Sequence, residues 1–321
     1  MKNYVNSIIQ GDCVDILKNI PDNSLAGCIT DPPYNYEFIG RNWNDTEIER
    51  RINRSKDKNS STLVKNIPYG SGLAGGVRNE RWYKKNRDNI LEYQKWVEEW
   101  GQELYRTLKP GAYALVFNST RTSAHIQVAL ENVGFYARDT IVWRRQSGIP
   151  KGLNAEKKLE KIGNPDANKW HGWHSALRSE WEAITVVQKP LVNNYINTIE
   201  LYNVGLMKTK SDNFEGFQSN IIENVKRDSK NEYNSHITVK PLDLIEKLVG
   251  MIIPKINGNI VIDPFLGSGT TAVAAIKLGI DWIGIELNSE YTEIAKKRVA
   301  EAIEHSQTQQ ITLDLSTNQL P

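Results

Sequence analysis

The chain has 321 residues, of which 39% are hydrophobic and 24% charged, and its formal net charge is +2. This length allows one large domain with insertions or two modest domains, with a substantial core in either case. No apolar run approaches roughly 18 residues and no apolar stretch follows a basic start, which argues against membrane spanning and secretion and predicts a cytoplasmic protein. Two cysteines without zinc-like spacing, Cys13 and Cys28, fit a reducing compartment.

The first elements are short. Residues 4–12 predict a strand and a turn, and residues 14–20 predict a helix that ends before Pro21. The apolar run at 25–29 then predicts a buried strand.

A rigid polar corner follows this strand and consists of Asp31, Pro32, Pro33 and Tyr34. Open α/β sheets bind ligands at the carboxyl ends of their strands, so chemistry is expected here. The prolines stiffen the backbone and present its carbonyl oxygens as acceptors. Asp31 and a proline carbonyl can accept both N–H bonds of an exocyclic amino group while Tyr34 stacks on the base. A lone tetrapeptide of this kind more often forms a simple turn, and only a second motif favours catalysis.

Two segments are basic: residues 38–90 carry twelve bases and six acids, and residues 144–178 carry eight bases and three acids. The first is too long for a plain connection within a domain. We predict that both segments contact the phosphates of a nucleic acid, with solvated charged loops as the alternative.

The middle of the chain alternates helices and strands. Patterns predict helices at 91–108 and 121–132, buried strands at 112–117 and 140–143, and a terminal hairpin strand at 183–187. Lys109-Pro110-Gly111 is expected to end the first helix. This alternation predicts an α/β fold with a doubly wound, mostly parallel sheet.

A second motif follows the strand predicted at 259–263. That strand ends in Asp263 and leads through a glycine turn at 264–269 into an Ala-rich helix. A further strand ends in Glu286, 23 residues after Asp263, which is the spacing of an acceptor for ribose hydroxyls. The pair predicts a nucleoside-cofactor site.

With Asp-Pro-Pro-Tyr placed before the glycine turn, the chain resembles the β class of S-adenosylmethionine-dependent DNA amino-methyltransferases, of the adenine-N6 type. The resemblance implies a Rossmann-like methyltransferase sheet of seven strands, one of them antiparallel at the edge. It further implies S-adenosyl-L-methionine as cofactor and double-stranded DNA as partner. The implied reaction is site-specific, direct in-line methyl transfer to N6 of a flipped adenine.

The resemblance also assigns residues. Catalysis falls to Asp31, Pro32, Pro33 and Tyr34. Cofactor binding falls to Asp12, Cys13, Lys240, Asp263, Phe265, Gly267, Ser268, Gly269, Thr270, Glu286 and Leu287, with Lys240 near the methionine carboxylate and Glu286 on the ribose. DNA contacts are expected from Arg41, Arg78, Arg81, Lys84, Arg144, Arg145, Lys151 and Arg178.

The predicted organisation has five parts. Residues 1–37 and 91–190 form the catalytic half, 38–90 the basic insertion, 191–235 the target-recognition region, 236–305 the cofactor-binding half and 306–321 a polar tail. His171 and His174 lack further ligands, so no metal site is predicted.

Several alternatives stay open. Cytosine-N4 enzymes usually carry Ser where Asp31 stands, but cytosine-N4 methylation, methylation of RNA or protein amino groups, and a DNA-binding relative without turnover are all retained. A cytosine-C5 mechanism is disfavoured because no cysteine follows the two prolines. A cognate restriction endonuclease and a homodimer are further partners. The whole interpretation requires position 31 to meet the glycines at 267 and 269.

Overall fold

The computed structural model describes residues 3–34, 80–145, 152–210, 216–225 and 239–317. For the helical residues 80–86 and 309–317, only the backbone is described. The chain divides into two compact units. The first unit comprises residues 1–34, 94–143 and 182–321, and the second comprises residues 35–93 and 144–181. Across the described ranges, no helix is both long and apolar enough to cross a membrane.

The described residues form eight strands and eight α-helices. The strands are β1 (Ser7–Gln10), β2 (Leu25–Thr30), β3 (Leu108–Asn118), β4 (Tyr136–Arg144), β5 (Trp181–Gln188), β6 (Ile221–Ile222), β7 (Ile260–Asp263) and β8 (Asp281–Glu286). The helices are α1 (Cys13–Leu17), α2 (Glu80–Thr107), α3 (Ser123–Asn132), α4 (Ala155–Lys161), α5 (Tyr195–Tyr202), α6 (Leu242–Ile252), α7 (Thr270–Leu278) and α8 (Ser289–Thr317). A short 3-10 turn covers Ala167–Trp170.

The strands form one sheet in the order β1-β8-β7-β2-β3-β5-β4-β6. The pairs β1–β8, β8–β7, β7–β2, β2–β3 and β4–β6 are parallel, and β5 runs antiparallel to β3. The predicted α/β class with a doubly wound, mostly parallel sheet is therefore confirmed. The strand count differs from seven because the two-residue β6 pairs with the end of β4, where Val142 faces Ile221.

The antiparallel strand β5 lies inside the sheet, between β3 and β4, so the expectation of a terminal hairpin at the edge was wrong. Six consecutive residues of β5, from Ala183 to Gln188, are buried. Such a run needs cover on both faces and neighbours on both sides, which an interior position provides.

The site is positioned by the adjacent strands β2 and β7, where Cys28 pairs with Ile262. From β7 the chain continues to β8 on one side, and from β2 it continues to β3 on the other. A crevice forms outside the carboxyl ends of strands at such a reversal of direction. Behind them the end of α6 packs closely, since a Cβ at Gly27 would stand 3.2 Å from Ile252 Cδ1 and 2.6 Å from Cδ1 of Ile253, the residue after the helix.

Three element boundaries differ from the sequence prediction. Helix α2 begins at Glu80, inside the segment expected to be an irregular insertion, because apolar spacing reveals only the buried part of a helix and not its polar extension. Lys109-Pro110-Gly111 belongs to β3, where the register shifts from Leu25 opposite Leu108 to Gly27 opposite Tyr113. A proline is tolerated at such an irregularity. Helix α8 continues to Thr317 through the expected polar tail, which contains no Gly or Pro before that residue.

Candidate active site

A cleft of about 150 Å³ opens at the switch point, entirely within the first unit. Its walls come from the ends of β2, β3 and β7, the loop after β7 and the segment before α6. The predicted site residues that line it are Asp31, Lys240, Asp263, Phe265, Gly267, Ser268 and Thr270. Position 31 and the glycine loop therefore meet, as the sequence interpretation required.

Asp263 ties the two central strands together. Its buried carboxylate accepts hydrogen bonds from Thr30 Oγ1 at 2.7 Å, from Thr271 Oγ1 at 2.7 Å and from the Phe265 amide at 3.1 Å. Burial raises the pKa of Asp263 to about 6, and the nearby charge of Asp31 adds to that rise while the three hydrogen bonds oppose it. The carboxylate thus fixes the start of the glycine loop.

The glycine loop is held by Glu286 at the end of β8. Glu286 Oε2 accepts from the Gly267 amide at 2.7 Å, and Oε1 accepts from the Asn288 amide at 2.8 Å. Burial raises the pKa of Glu286, and these backbone donors counter the rise.

The two glycines of the loop serve different purposes. Gly267 has φ +56°, and a Cβ built on it meets no atom of the described residues within 4 Å, so a side chain there would project into the open cleft. Gly269 has φ +91°, and its Cβ would stand 3.1 Å from the Cβ of Ala295, so a side chain there would push against α8.

Arg298 supports the same loop from α8 and was missed in the sequence. Its Nη1 donates to the Ser268 carbonyl and hydroxyl, both at 2.8 Å, and to Thr270 Oγ1 at 3.1 Å. Nothing in the sequence distinguishes Arg298 from the other bases of this charged helix. Thr30 and Thr271 were missed for the same reason, since their partner is known only from the fold.

Phe265 anchors the loop in the core as well as lining the cleft. Its ring centroid lies 5.5 Å from those of both Trp96 and Trp100. These aromatic contacts are by themselves a sufficient structural reason for a large ring at position 265.

At the opposite wall, Asp31 is bonded through both carboxylate oxygens. Tyr34 donates its hydroxyl to Oδ1, and Lys240 Nζ lies 2.5 Å from Oδ2. Burial, together with the charges of Asp31 and Glu182, raises the pKa of Tyr34 well above its ordinary value, so its hydroxyl stays a donor. Pro32 and Pro33 connect Asp31 to Tyr34 outside any helix or strand. The ammonium of Lys240 was expected near a cofactor carboxylate, and here it lies against Asp31 in the shared cleft.

Other predicted cofactor residues sit at the same sheet edge outside this cleft. Asp12 caps α1 by accepting from the Val14 amide at 2.8 Å, and the neighbouring Gly11 amide donates to the Glu286 carbonyl. Cys13 is buried, which raises the pKa of its thiol to about 12. Leu287 is 46% exposed just beyond β8.

The predicted DNA contacts fall largely in the second unit. Arg41, Arg78 and Lys151 lie outside the described residues, and of Arg81 and Lys84 only the helical backbone is described. Arg145 Nη2 lies 3.1 Å from Ser179 Oγ, Arg178 is paired with Glu180, and Arg144 ends β4.

The two histidines of the second unit also have partners. His171 Nδ1 lies 2.9 Å from Glu156 Oε2, and His174 Nδ1 lies 3.2 Å from the Gly172 carbonyl. In the part of the chain that the structure describes, no group of three metal-ligating side chains occurs.

Comparison with known proteins adds independent findings. A profile of the family described as DNA methylase, N6_N4_Mtase, matches residues 26–297. The chain is 30% identical over 313 residues to the Type II methyltransferase M.HindIII of Haemophilus influenzae, covering 92% of this chain and 95% of that protein. It is 28% identical over 306 residues to the Type II methyltransferase M.BglII of Bacillus subtilis, covering 92% and 69%.

Solved structures share the fold. The M1.HpyAVI–SAM complex superposes with a TM-score of 0.50 at 20% identity, covering 91% of this chain and 98% of that one. The PvuII DNA methyltransferase, described as cytosine-N4-specific, gives a TM-score of 0.54 at 14% identity, covering 94% and 92%. With a family profile matched along most of its length and a relative aligned almost end to end, the chain belongs to the DNA methylase family.

Proposed function

We propose that this protein transfers a methyl group from S-adenosylmethionine to N6 of adenine in DNA. One observation carries the proposal: the Asp31 carboxylate and the Gly267 loop line a single cleft at the switch point of the sheet. Support comes from the Type II methyltransferase relatives and from the solved M1.HpyAVI–SAM complex, which shares the fold. Asp at position 31, where cytosine-N4 enzymes usually carry Ser, favours adenine.

The residues present fit this cofactor. Glu286 accepts backbone hydrogen bonds from Gly267, Asn288 and Leu287, and a carboxylate has about four acceptor sites, which leaves capacity for a ribose hydroxyl. Gly267 leaves open space in the cleft where a side chain would stand. The amino end of α7, at Thr270, lies beside that space and suits a carboxylate. When bound, the cofactor supplies an already activated methyl group.

The chain's own contribution is to hold and activate the amine. Asp31 is placed to accept one N–H bond of the target amino group, and a backbone carbonyl of the proline pair is proposed to accept the other. These bonds favour a pyramidal nitrogen with its lone pair available, and Asp31 or water takes the proton released afterwards. Holding the reactants in line contributes on the order of 7 kcal/mol or more.

Access to the amine requires that the base leave the duplex. A stacked base is out of reach of such a cleft, so the target adenine flips at a cost of a few kcal/mol. Stacking on Tyr34 would return about 1 to 3 kcal/mol of that cost. Because the Tyr34 hydroxyl is bonded to Asp31, its ring is held beside the acceptor that binds the amine.

Product analysis tests the proposal. The purified protein is incubated with duplex DNA and isotopically labelled S-adenosylmethionine, and the DNA is digested to nucleosides for mass analysis. Labelled N6-methyladenine is expected. Labelled N4-methylcytosine would instead establish the cytosine alternative, transfer to RNA or protein alone would establish another amino substrate, and binding of DNA without any transfer would establish a silent relative.

The biological setting is a further part of the proposal. Because the named relatives are Type II methyltransferases, we expect a restriction endonuclease that recognises the same DNA site. Residues 191–235 and the two basic segments are proposed to read that site, and action on cellular DNA agrees with the cytoplasmic location predicted from the sequence. Single-molecule sequencing of host DNA with and without this gene identifies the site, and light scattering tests the predicted homodimer.

A further inference from the structure

A second carboxylate, that of Glu182, lies beside the Asp31 cluster and belongs to none of the motifs used above. Its Oε2 is 3.5 Å from Lys240 Nζ and 3.4 Å from the Tyr34 hydroxyl. These are the two donors that also contact Asp31. Glu182 reaches them because β5 runs antiparallel to β3 and brings its first residues to the edge where the parallel strands end.

The side chains of the cluster are largely buried, and one ammonium contacts two carboxylates. The side chains of Lys240, Glu182 and Asp31 are 10%, 16% and 29% exposed. Among the described side chains, the ammonium of Lys240 is shared by two carboxylates, those of Asp31 and Glu182. Without Glu182, the charge of Lys240 would act on Asp31 alone.

Charge at this position matters for the transfer of a methyl group to an amine. As the N–C bond forms and the S–C bond breaks, the positive charge leaves sulfur and appears on the amino nitrogen, which then loses a proton to Asp31 or water. A fixed negative charge beside that nitrogen stabilises the developing cation. An ammonium at 2.5 Å from Asp31 opposes this effect unless a second carboxylate offsets it.

We propose that Glu182 is a positioning residue for methyl transfer: it offsets the charge of Lys240, so that Asp31 faces the target amine with its negative charge undiminished. The inference rests on the proposed function. It assigns Glu182 no contact with substrate, and its action passes through Lys240 and Tyr34.

Two substitutions at Glu182 separate charge from shape. Glu182→Gln keeps the length and hydrogen-bonding capacity but removes the charge, whereas Glu182→Asp keeps the charge on a shorter side chain. We expect Glu182→Gln to lower the single-turnover rate of methyl transfer by about tenfold or more, with KM values for cofactor and DNA close to those of the unmodified protein. Glu182→Asp retains more of the rate than Glu182→Gln.

The opposite ranking would overturn the inference, because a residue that only fills space is better replaced by Gln than by Asp. An unchanged rate in Glu182→Gln would overturn it as well. Glu131→Gln, an exposed acid on α3, is the matched control and leaves the rate unchanged.

A double-mutant cycle keeps the inference testable if Glu182→Gln does not fold. If Glu182 acts by offsetting Lys240, then Glu182→Gln has little further effect in a Lys240→Gln background. Additive losses in the double variant would contradict the inference. The unmodified protein, assayed alongside, separates the two proposals: if it transfers no methyl group to DNA, the proposed function fails, and if it does while the variants behave independently, only the role of Glu182 fails.

Discussion

Lys240 Nζ lies 2.5 Å from Asp31 Oδ2, although 209 positions separate the two residues. The contact joins the segment before α6 to the end of β2, so one wall of the cleft is formed by two segments that are distant in the sequence. Any substitution in this wall therefore has to be judged by its separate effects on transfer and on cofactor binding.

Asp31→Ala removes the proposed acceptor for the amine. We expect the rate of methyl transfer to DNA to fall at least about a hundredfold, because a preorganised partner of the reacting group is lost. S-adenosylmethionine affinity, measured by calorimetry, should change little. Asp243→Asn, an exposed acid on α6, is the control. Transfer surviving intact in Asp31→Ala would count strongly against the proposed function.

Gly267→Ala tests the open side of the cofactor loop. The added methyl group meets none of the atoms that the structure describes but projects into the cleft, so cofactor affinity should fall about tenfold or more while the protein still folds. Gly258→Ala is a matched control, since Gly258 also has a positive φ and open space but lies outside the cleft. Both variants should lose about 1 kcal/mol of unfolding free energy. Equal cofactor affinity in the two variants would show that the loop is not the binding surface.

Arg298→Ala releases the support of Ser268 and Thr270. Three hydrogen bonds from one guanidinium are lost, so the loop becomes less preorganised, and we expect the dissociation constant for the cofactor to rise about tenfold. DNA affinity, measured by fluorescence anisotropy, should change much less. Lys297→Ala, an exposed position on the same helix, should leave both constants unchanged. If Arg298→Ala lowered only the affinity for DNA, the role of Arg298 in supporting the cofactor-binding loop would be contradicted.

Asp263→Asn should change how stability depends on pH. The pKa of Asp263 in the folded protein is about 6, above its ordinary value of 3.8, so the folded state holds the proton more tightly than the unfolded state. The free energy of unfolding therefore loses a contribution as pH rises from about 4 to about 6. An amide does not titrate, so the variant does not lose this contribution. Between pH 5 and 7.5 the unfolding free energy of the variant should therefore rise by on the order of 1 kcal/mol relative to that of the unmodified protein.

Urea unfolding at several pH values, without cofactor, measures this difference. Asp243→Asn serves again as the control, because it alters an exposed carboxylate on α6 rather than a buried one. A difference that stays constant with pH, or that moves in the opposite direction, would contradict the burial argument for Asp263.

The sequence was sufficient for features that are local in the chain. The buried strands before Asp31 and Asp263, the glycine turn and the strand ending in Glu286 all follow from runs of apolar residues bounded by turn signals. Because parallel strands end at one edge of a sheet, these local signals also predicted that the acids would share an edge.

Sequence patterns misjudged the elements whose limits depend on neighbours. The start of α2 at Glu80 and the end of α8 at Thr317 lie in polar segments, where apolar spacing carries no signal. The interior position of β5 depends on which strands border it, and the sequence pattern of a buried strand is the same for either direction.

By itself, then, the sequence determined the class of fold and the strand-end residues that form the cleft, because hydrophobic periodicity and turn chemistry act over a few neighbouring residues. Only the tertiary structure decided that Lys240 lies against Asp31, that Arg298 holds the glycine loop and that Glu182 lies beside Lys240 and Tyr34. Each of these contacts links distant segments through the direction of a strand or the facing side of a helix, and both are settled by packing across the whole sheet.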